Sequence, residues 1–488
     1  MTTATNDGPV AGRVSRGLGW GLGGTIAMRV GSVLFGILVA RLVAPEEFGV
    51  YAVALTVWTI LSTLADLGLG ADLVRAADME PRAPTVASIG LGVSVSLGVT
   101  MVLAAEPIAL AFGSPESVDV IRLMAVSIAV FGFTIVPSAR LTRAYRQGAL
   151  FGINALGLLA SVVVSLGLIL GGVGAEALAC GQIACQSVIA VGLFVVTRTV
   201  PRLGYDPALA RESLVFCLPL AAANLLSWLL LSLDNLIVSR TLGPEQLGLY
   251  VLAFNISSWP MSALGAAIRV VALPAFSQAS SPEVRNRGLV LCIAPLVTVS
   301  TLISLGLAAA AIPLVTLIYG DRWEPAAAAL TGLAVFGGSR VLLDLVATFL
   351  VAAGETRAVL AVQVAWVLAM VPAMVLGVTR WGLAGAGWTH VAVVVAVVVP
   401  LYLRALGKVG IPPGELLRPV VVPLVAAVPA AIACIWFNGL GSNRLLTLVG
   451  VAALVLALYG LPLLRWWRAR FTQLRRLEPV SVPEGTPS

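Results

Sequence analysis

Long apolar runs broken by short polar stretches occupy the chain from about Gly17 to about Trp466. Most runs reach about 20 residues, the length an α-helix needs to cross the hydrocarbon of a bilayer. Inside lipid every backbone N–H and C=O has to be paired within the protein, and the runs are too long for barrel strands, so they predict helices. The pattern places spans near 18–40, 47–68, 85–105, 119–138, 149–171 and 175–197. After a polar break, six more run near 213–238, 246–274, 289–318, 326–351, 358–379 and 383–404. Two further runs, 416–437 and 445–465, precede a polar tail. The expected fold is an all-α polytopic membrane protein of about 14 transmembrane helices.

The basic residues alternate with this count. Alternate ends carry Arg13 and Arg16, then Arg75 and Arg82, then Arg140, Arg143 and Arg146, then Arg198, Arg202 and Arg211. The series continues with Arg285 and Arg287, Arg357, the set Arg404, Lys408 and Arg418, and the Arg-rich tail beyond Arg465. The opposite loops hold roughly one basic residue each, at Arg41, Arg240, Arg322, Arg380 and Arg444, with Arg122 as the outlier. Cytoplasmic loops are the basic ones, so both termini are expected on the cytoplasmic side of the membrane. A miscount by one helix would scramble the alternation.

One hairpin is written twice. Residues 39–55 read VARLVAPEEFGVYAVAL and residues 238–254 read VSRTLGPEQLGLYVLAF. Without a gap, Arg41, Pro45, Glu46, Gly49, Tyr51 and Ala54 fall on Arg240, Pro244, Glu245, Gly248, Tyr250 and Ala253. Pro-Glu suits the first turn of a helix, where a missing N–H does no harm and a carboxylate offsets the dipole. Unrelated turns would share Pro and Glu but not the Arg, Gly and Tyr spacing, so the chain reads as a duplication. Six spans separate the copies, which puts both on the outer face and relates the halves as parallel repeats. The expected organisation is a cytoplasmic segment 1–16, a six-helix lobe 17–197, a cytoplasmic linker 198–212 and a second six-helix lobe 213–405. Two extra helices over 406–466 and a tail 467–488 complete it.

Composition narrows the function. With 59% hydrophobic and 11% charged residues, this is not a soluble globular chain, and the net charge of +7 sits at helix ends rather than in a nucleic-acid surface. Residues 1–16 are polar and show no apolar core or cleavage site, so the first run is expected to be retained. Cys180, Cys185, Cys217, Cys292 and Cys434 all lie in apolar runs, with no metal or redox spacing. The glycine string after Gly17 begins a membrane helix with no strand before it, so it reads as close helix packing and not as a dinucleotide site. His390, the only histidine, follows Trp388 in an apolar run and is expected to be packed rather than catalytic. No loop is long enough for a catalytic domain, which points to a transporter that is not an enzyme and needs no cofactor or metal.

The informative residues are charges inside helices, where an arginine costs about 2.5–3.5 kcal/mol at the bilayer centre unless it meets a partner or a cavity. Arg29 lies mid-way along the first span and Arg269 deep in the eighth, neither with a carboxylate one turn away. Either a helix partner or an anionic substrate satisfies them, and both are taken as candidate substrate-binding residues. Asp66, Asp234, Arg340 and Asp344 are candidates for cavity charge or ion coupling, and Arg340 with Asp344 can also neutralise each other at i, i+4. Prolines recur within the spans, including Pro137, Pro260, Pro295 and Pro372, and each permits a bend.

The stretch VARLVAPEEFGVY at 39–51 followed by DLGLGADLVR at 66–75, and DNLIVSRTLGPEQLGLY at 234–250, resembles the polysaccharide transporter family. LTRAYRQG at 141–148 and GVGAEALA at 172–179 resemble the same family. These are the Wzx-type flippases of the multidrug/oligosaccharidyl-lipid/polysaccharide (MOP) exporter superfamily, and the likeness covers about residues 15–405. It implies two lobes around a cavity and transfer of an undecaprenyl-diphosphate-linked oligosaccharide from the inner to the outer leaflet. It also implies membrane lipid and glycan polymerases or glycosyltransferases as partners, and cavity arginines that meet the diphosphate. Arg29 and Arg269 match those by helix and depth only. Drug or small-molecule export by the same architecture, and a membrane enzyme of glycan assembly, are the competing readings.

Overall fold

The polar breaks in the chain become caps and reversals, and the apolar runs between them become helices. The computed structural model describes residues 27–464 apart from 77, 145, 200–201, 278–280 and 441–442. Helix α1 covers 27–42. It is followed by α2 (Pro45–Arg75), α3 (Ala83–Leu103), α4 (Pro115–Arg143), α5 (Gln147–Leu170), α6 (Ala175–Thr197) and α7 (Pro207–Leu242). Next come α8 (Pro244–Ser277), α9 (Pro282–Ala309) and α10 (Ala326–Ala352). The segment Thr356–Lys408 holds α11 and α12, and α13 (Pro413–Leu440) and α14 (Arg444–Leu464) follow. Gly382 divides α11 from α12 at φ 57, ψ −136, a conformation closed to residues with a Cβ. No strand occurs among the described residues. The protein is an all-α polytopic membrane protein, and large apolar side chains stand exposed along its spans, such as Leu103, Leu170 and Ile435.

The chain forms two compact units, Met1–Gly248 and Leu249–Ser488. In the first, α2 breaks after Asp66 because Leu67 (φ 48) and Gly68 (φ 79) take left-handed conformations, and Leu69–Arg75 resumes as a short helix. Leu67, Leu69 and Leu73 then bury against Val86 of α3 and Ile135 and Ala139 of α4, with Cys217 of α7 in the same cluster. A 3₁₀ turn at Gly132–Thr134 interrupts α4 where Pro137 withholds its N–H from the carbonyl of Phe133. Asp206 caps α7, accepting from the N–H groups of Ala208 (2.8 Å) and Leu209 (3.3 Å). Helices α5 and α6 approach through small residues: a methyl on Gly181 would stand 1.9 Å from Ser165 Oγ.

In the second unit, α10 and α12 touch backbone to backbone, since a Cβ on Gly387 would lie 2.4 Å from Ala329 O. A π-helical turn over Val394–Val398 precedes Pro400, which has no N–H for a regular turn. Helices α13 and α14 pack on α9 through Cys434, Val451 and Val455 around Ala310, and Tyr459 Oη donates to Thr298 O at 3.0 Å.

Two features depart from the pattern read along the chain. The run expected as one span over 289–318 ends at Ala309, and a separate helix, Ala311–Tyr319, follows it. The first unit does the same: α3 ends at Leu103 and a short helix, Ala105–Phe112, follows. The hinge residues have nearly the same backbone, Ala104 at φ −91, ψ 4 and Ala310 at φ −92, ψ 9. Pro107 and Pro313 are the cause, each three residues after its hinge and unable to bond the carbonyl four residues back. In the second unit that carbonyl, Ala309 O, is taken up by Asn438 Nδ2 of α13 at 2.8 Å. Each short helix leads through a 3₁₀ turn, Pro115–Ser117 or Asp321–Trp323, into the next span. This second duplicated element supports the parallel-repeat reading independently of the hairpins.

Candidate functional site

Within the first unit the two hairpin copies meet. A Cβ on Gly49 would stand 1.7 Å from Pro244 O, and a Cβ on Gly248 would stand 2.2 Å from Pro45 O. The contact is reciprocal, each glycine facing the proline carbonyl of the other copy, so only two glycines permit the crossing. Beside it the end of α7 is tied to the short helix 105–112. Ser239 Oγ donates to Phe112 O at 2.7 Å and Arg240 Nη1 donates to Leu110 O at 2.7 Å. Charge-assisted bonds of this kind are roughly twice as strong as neutral ones.

The start of α7 is tied down as well, at the other end of the same helix. Asp72, 1% exposed, accepts from Ser213 Oγ at 2.7 Å. Arg82 Nη1 lies 3.6 Å from the same carboxylate oxygen and Arg75 Nη2 3.9 Å from the other. Arg82 also pairs with Glu212 through Nη2, and that hydrogen bond is the main reason its guanidinium titrates above the ordinary arginine value. The left-handed break at Leu67–Gly68 re-aims the last turns of α2, so Asp72 faces α7 and not solvent. Ser213 and Arg240 are 27 positions apart, about 40 Å of helix at 1.5 Å per residue, so the two ties sit a bilayer's thickness apart.

Between them, Asn235 Nδ2 donates to Thr56 Oγ1 at 3.1 Å, joining α7 to α2. Asp234, at 9% exposure, accepts from the Asn235 N–H at 2.8 Å. Asp66 is half-buried at the break in α2. Arg29 is exposed on α1, where its carbonyl accepts from Ser32 Oγ at 2.9 Å. Arg269 lies on α8, but its side chain is outside the described part of the structure. In the second unit Arg340 and Asp344 are half-buried one turn apart on α10, and Arg340 makes no ion pair among the described residues. His390 is packed as expected: its ring stacks on Phe336 at 4.6 Å and Nε2 lies 2.9 Å from Tyr250 Oη. No group of three His, Cys, Asp or Glu side chains among the described residues is placed to hold a metal ion.

Asp72 and Ser213 were not singled out in the sequence. The signal was available in an acidic residue amid the DLVR stretch that closes an apolar span, ten positions before an arginine. The crossing of Gly49 and Gly248 was signalled by their repetition, though not its partner.

Residues 38–328 match the family model described as polysaccharide biosynthesis protein. The chain belongs to that family. It is 27% identical over 332 residues to the succinoglycan biosynthesis transport protein ExoT of Rhizobium meliloti (strain 1021), covering 66% of this chain and 65% of ExoT. It is 23% identical to the lipopolysaccharide biosynthesis protein WzxC of Escherichia coli (strain K12), over 70% of each chain. The chain thus spans about two thirds of the length of these relatives. Among solved structures, the lipid II flippase MurJ superposes with a TM-score of 0.73 at 11% identity, covering 92% of this chain and 98% of MurJ. An inward-facing multidrug resistance MATE transporter of the MOP superfamily gives 0.61 at 16% identity, covering 78% and 94%. The family resemblance read from the hairpins and the polytopic fold therefore both hold.

Proposed function

We propose that the protein is a flippase that moves an undecaprenyl-diphosphate-linked oligosaccharide from the inner to the outer leaflet of a bacterial cell membrane by alternating access. Both termini lie in the cytoplasm on this reading. The observation that carries it is the pair of ties at opposite ends of α7. The Gly49–Gly248 crossing with Arg240 closes the outer end, and the Asp72, Arg82, Ser213 and Glu212 cluster closes the inner end. On this reading α7 opens the second repeat, 213–405, and moves with it, so releasing one tie while the other holds exposes the path to one leaflet at a time. Relatives named for succinoglycan and lipopolysaccharide biosynthesis favour a saccharide cargo, and MurJ, named for lipid II, favours a lipid-borne one.

Arg29 and Arg269 meet the diphosphate in this scheme, where guanidinium groups give bidentate, charge-assisted contacts to phosphate oxygens. Asp66, Asp234, Arg340 and Asp344 supply cavity charge or carry a coupling ion. Polymerases and glycosyltransferases of glycan assembly act before and after it.

The test is Arg29→Ala and Arg269→Ala in a host whose surface glycan depends on this chain. Surface glycan is expected to fall at least tenfold at normal protein level, with lipid-linked precursor accumulating inside. Full glycan export by both variants overturns the assignment. Purified protein in liposomes with labelled lipid-linked sugar separates relocation, the expected result, from formation of a new glycosidic bond.

A further inference from the structure

Next to Arg82 but not using it, the first unit holds a cavity of about 390 Å³ bounded by the start of α3, the second half of α4 and the end of α6. Its lining includes Arg140, Arg198 and Arg202, against one carboxylate, Glu80. Glu80 Oε2 takes one donor of Arg140 at 2.9 Å, and Arg140 Nε is buried with no hydrogen-bond partner. Arg198 and Arg202 are exposed and make no ion pair among the described residues. Arg198 ends α6 at φ 51, a left-handed backbone that a residue with a side chain adopts only against a steric penalty.

Most of the rest of the lining is apolar, and part of it lies deeper. Phe133 stands seven residues before Arg140 on α4, Phe194 four before Arg198 on α6, and Leu91 eight into α3 from Ala83. At 1.5 Å per residue these side chains sit roughly 6–12 Å further along the spans than the arginines. The cavity is therefore cationic at the helix ends and greasy within. A free phosphate ion has no use for the inner part, and a neutral headgroup has no use for the outer part.

We propose that this cavity is a binding site for an anionic membrane phospholipid. Its headgroup phosphate sits among Arg140, Arg198 and Arg202, and an acyl chain runs past Leu91, Phe133 and Phe194. Basic pockets between helix ends are suited to anionic headgroups, which meet both the local charge and the leaflet's surface. The arginine-rich ends are the ones the charge pattern assigns to the cytoplasm, so the lipid comes from the inner leaflet. The site makes no use of Arg29, Arg269 or the ties on α7, so it does not rest on the transport reading.

The experiment is lipid binding by purified full-length protein in detergent, followed as a rise in melting temperature on titration with phosphatidylglycerol, phosphatidylcholine or inorganic phosphate. Phosphatidylglycerol is expected to stabilise the wild type, and the other two at equal concentration are not. The exposed pair Arg198→Gln/Arg202→Gln should fold normally and bind phosphatidylglycerol about 30-fold more weakly, about fivefold per arginine. Phe133→Ser should weaken it with all three arginines present. Equal response of wild type and the double variant to phosphatidylglycerol overturns the site. An equal response to inorganic phosphate overturns the lipid, as does an equal response to phosphatidylcholine. A helix-capping role for Arg198 alone would lower stability of the double variant in every lipid and leave its affinity unchanged.

Discussion

Alanine at Gly49 or Gly248 would place a methyl group where the other hairpin's backbone already stands. The added Cβ at Gly49 would lie 1.7 Å from Pro244 O, whereas ordinary contact begins near 3.4 Å, so the copies must part by about 1.7 Å. Backbone has no rotamer with which to yield. Overpacking of this severity belongs at the upper end of the usual range, about 3 kcal/mol. The helix-propensity gain of alanine over glycine, about 1 kcal/mol, is the same whether the hairpins touch or part, and so cancels. The balance is about 3 kcal/mol against the closed crossing, roughly a 150-fold larger population with the hairpins apart. Leu247, fully buried beside Gly248, reports the event. With the five native cysteines replaced, Leu247→Cys should react with a membrane-impermeant maleimide about 150-fold faster when Gly49→Ala is added, and similarly for Gly248→Ala. Gly36→Ala on α1, where a Cβ meets nothing within 4 Å, is the control and should leave the rate unchanged. Because both glycines serve one crossing, the double variant should add less than the sum of the two. A labelling rate in folded Gly49→Ala within threefold of the parent would refute the crossing as the outer closure.

At the tie where α7 begins, Ser213→Ala removes a donor to a buried carboxylate and should cost about 1.5–3 kcal/mol. Glu212→Ala breaks a pair whose carboxylate is 60% exposed and should cost under about 1 kcal/mol. Thermal unfolding of the two variants ranks them, and a larger loss for Glu212→Ala would reverse the account of which contact holds α7. Asn438→Ala leaves Ala309 O unpaired in the second unit and should cost about 1–3 kcal/mol by the same measurement. No loss there would mean that α13 leans on α9 by packing alone.

The spans were readable because their length and apolarity admit one solution in lipid, and the hairpins because six residue types recur at fixed spacing. What escaped were short features whose sequence cue is two or three letters. The stretch LGLG at 67–70 reads as more of an apolar run, yet Leu67 and Gly68 turn left-handed there and swing Asp72 onto α7. The pairs Ala104–Ala105 and Ala310–Ala311, each followed by proline two residues on, are too slight a match to notice without the two hinges side by side. The intramembrane charges announced themselves by their insertion cost, but that argument names a residue and not its partner.

The duplication also explains why its own motif was only half informative. Where the backbone is the contact, the copies behave alike, and Gly49 and Gly248 face each other's proline carbonyl. Where a side chain is the contact, they part company. Tyr51 lies in the apolar cluster of Phe35, Val39 and Phe48, whereas Tyr250 bonds His390, and no histidine exists for the first copy to use. Selection on a shared crossing constrains both glycines at once, because a change in either one strikes the other hairpin. Selection on a side-chain partner acts on each copy separately, so the halves were free to diverge there. In a protein built from two repeats, identity between copies therefore marks a shared contact where backbone meets backbone, as at Gly49 and Gly248, but not where a side chain is the contact, as at Tyr51 and Tyr250.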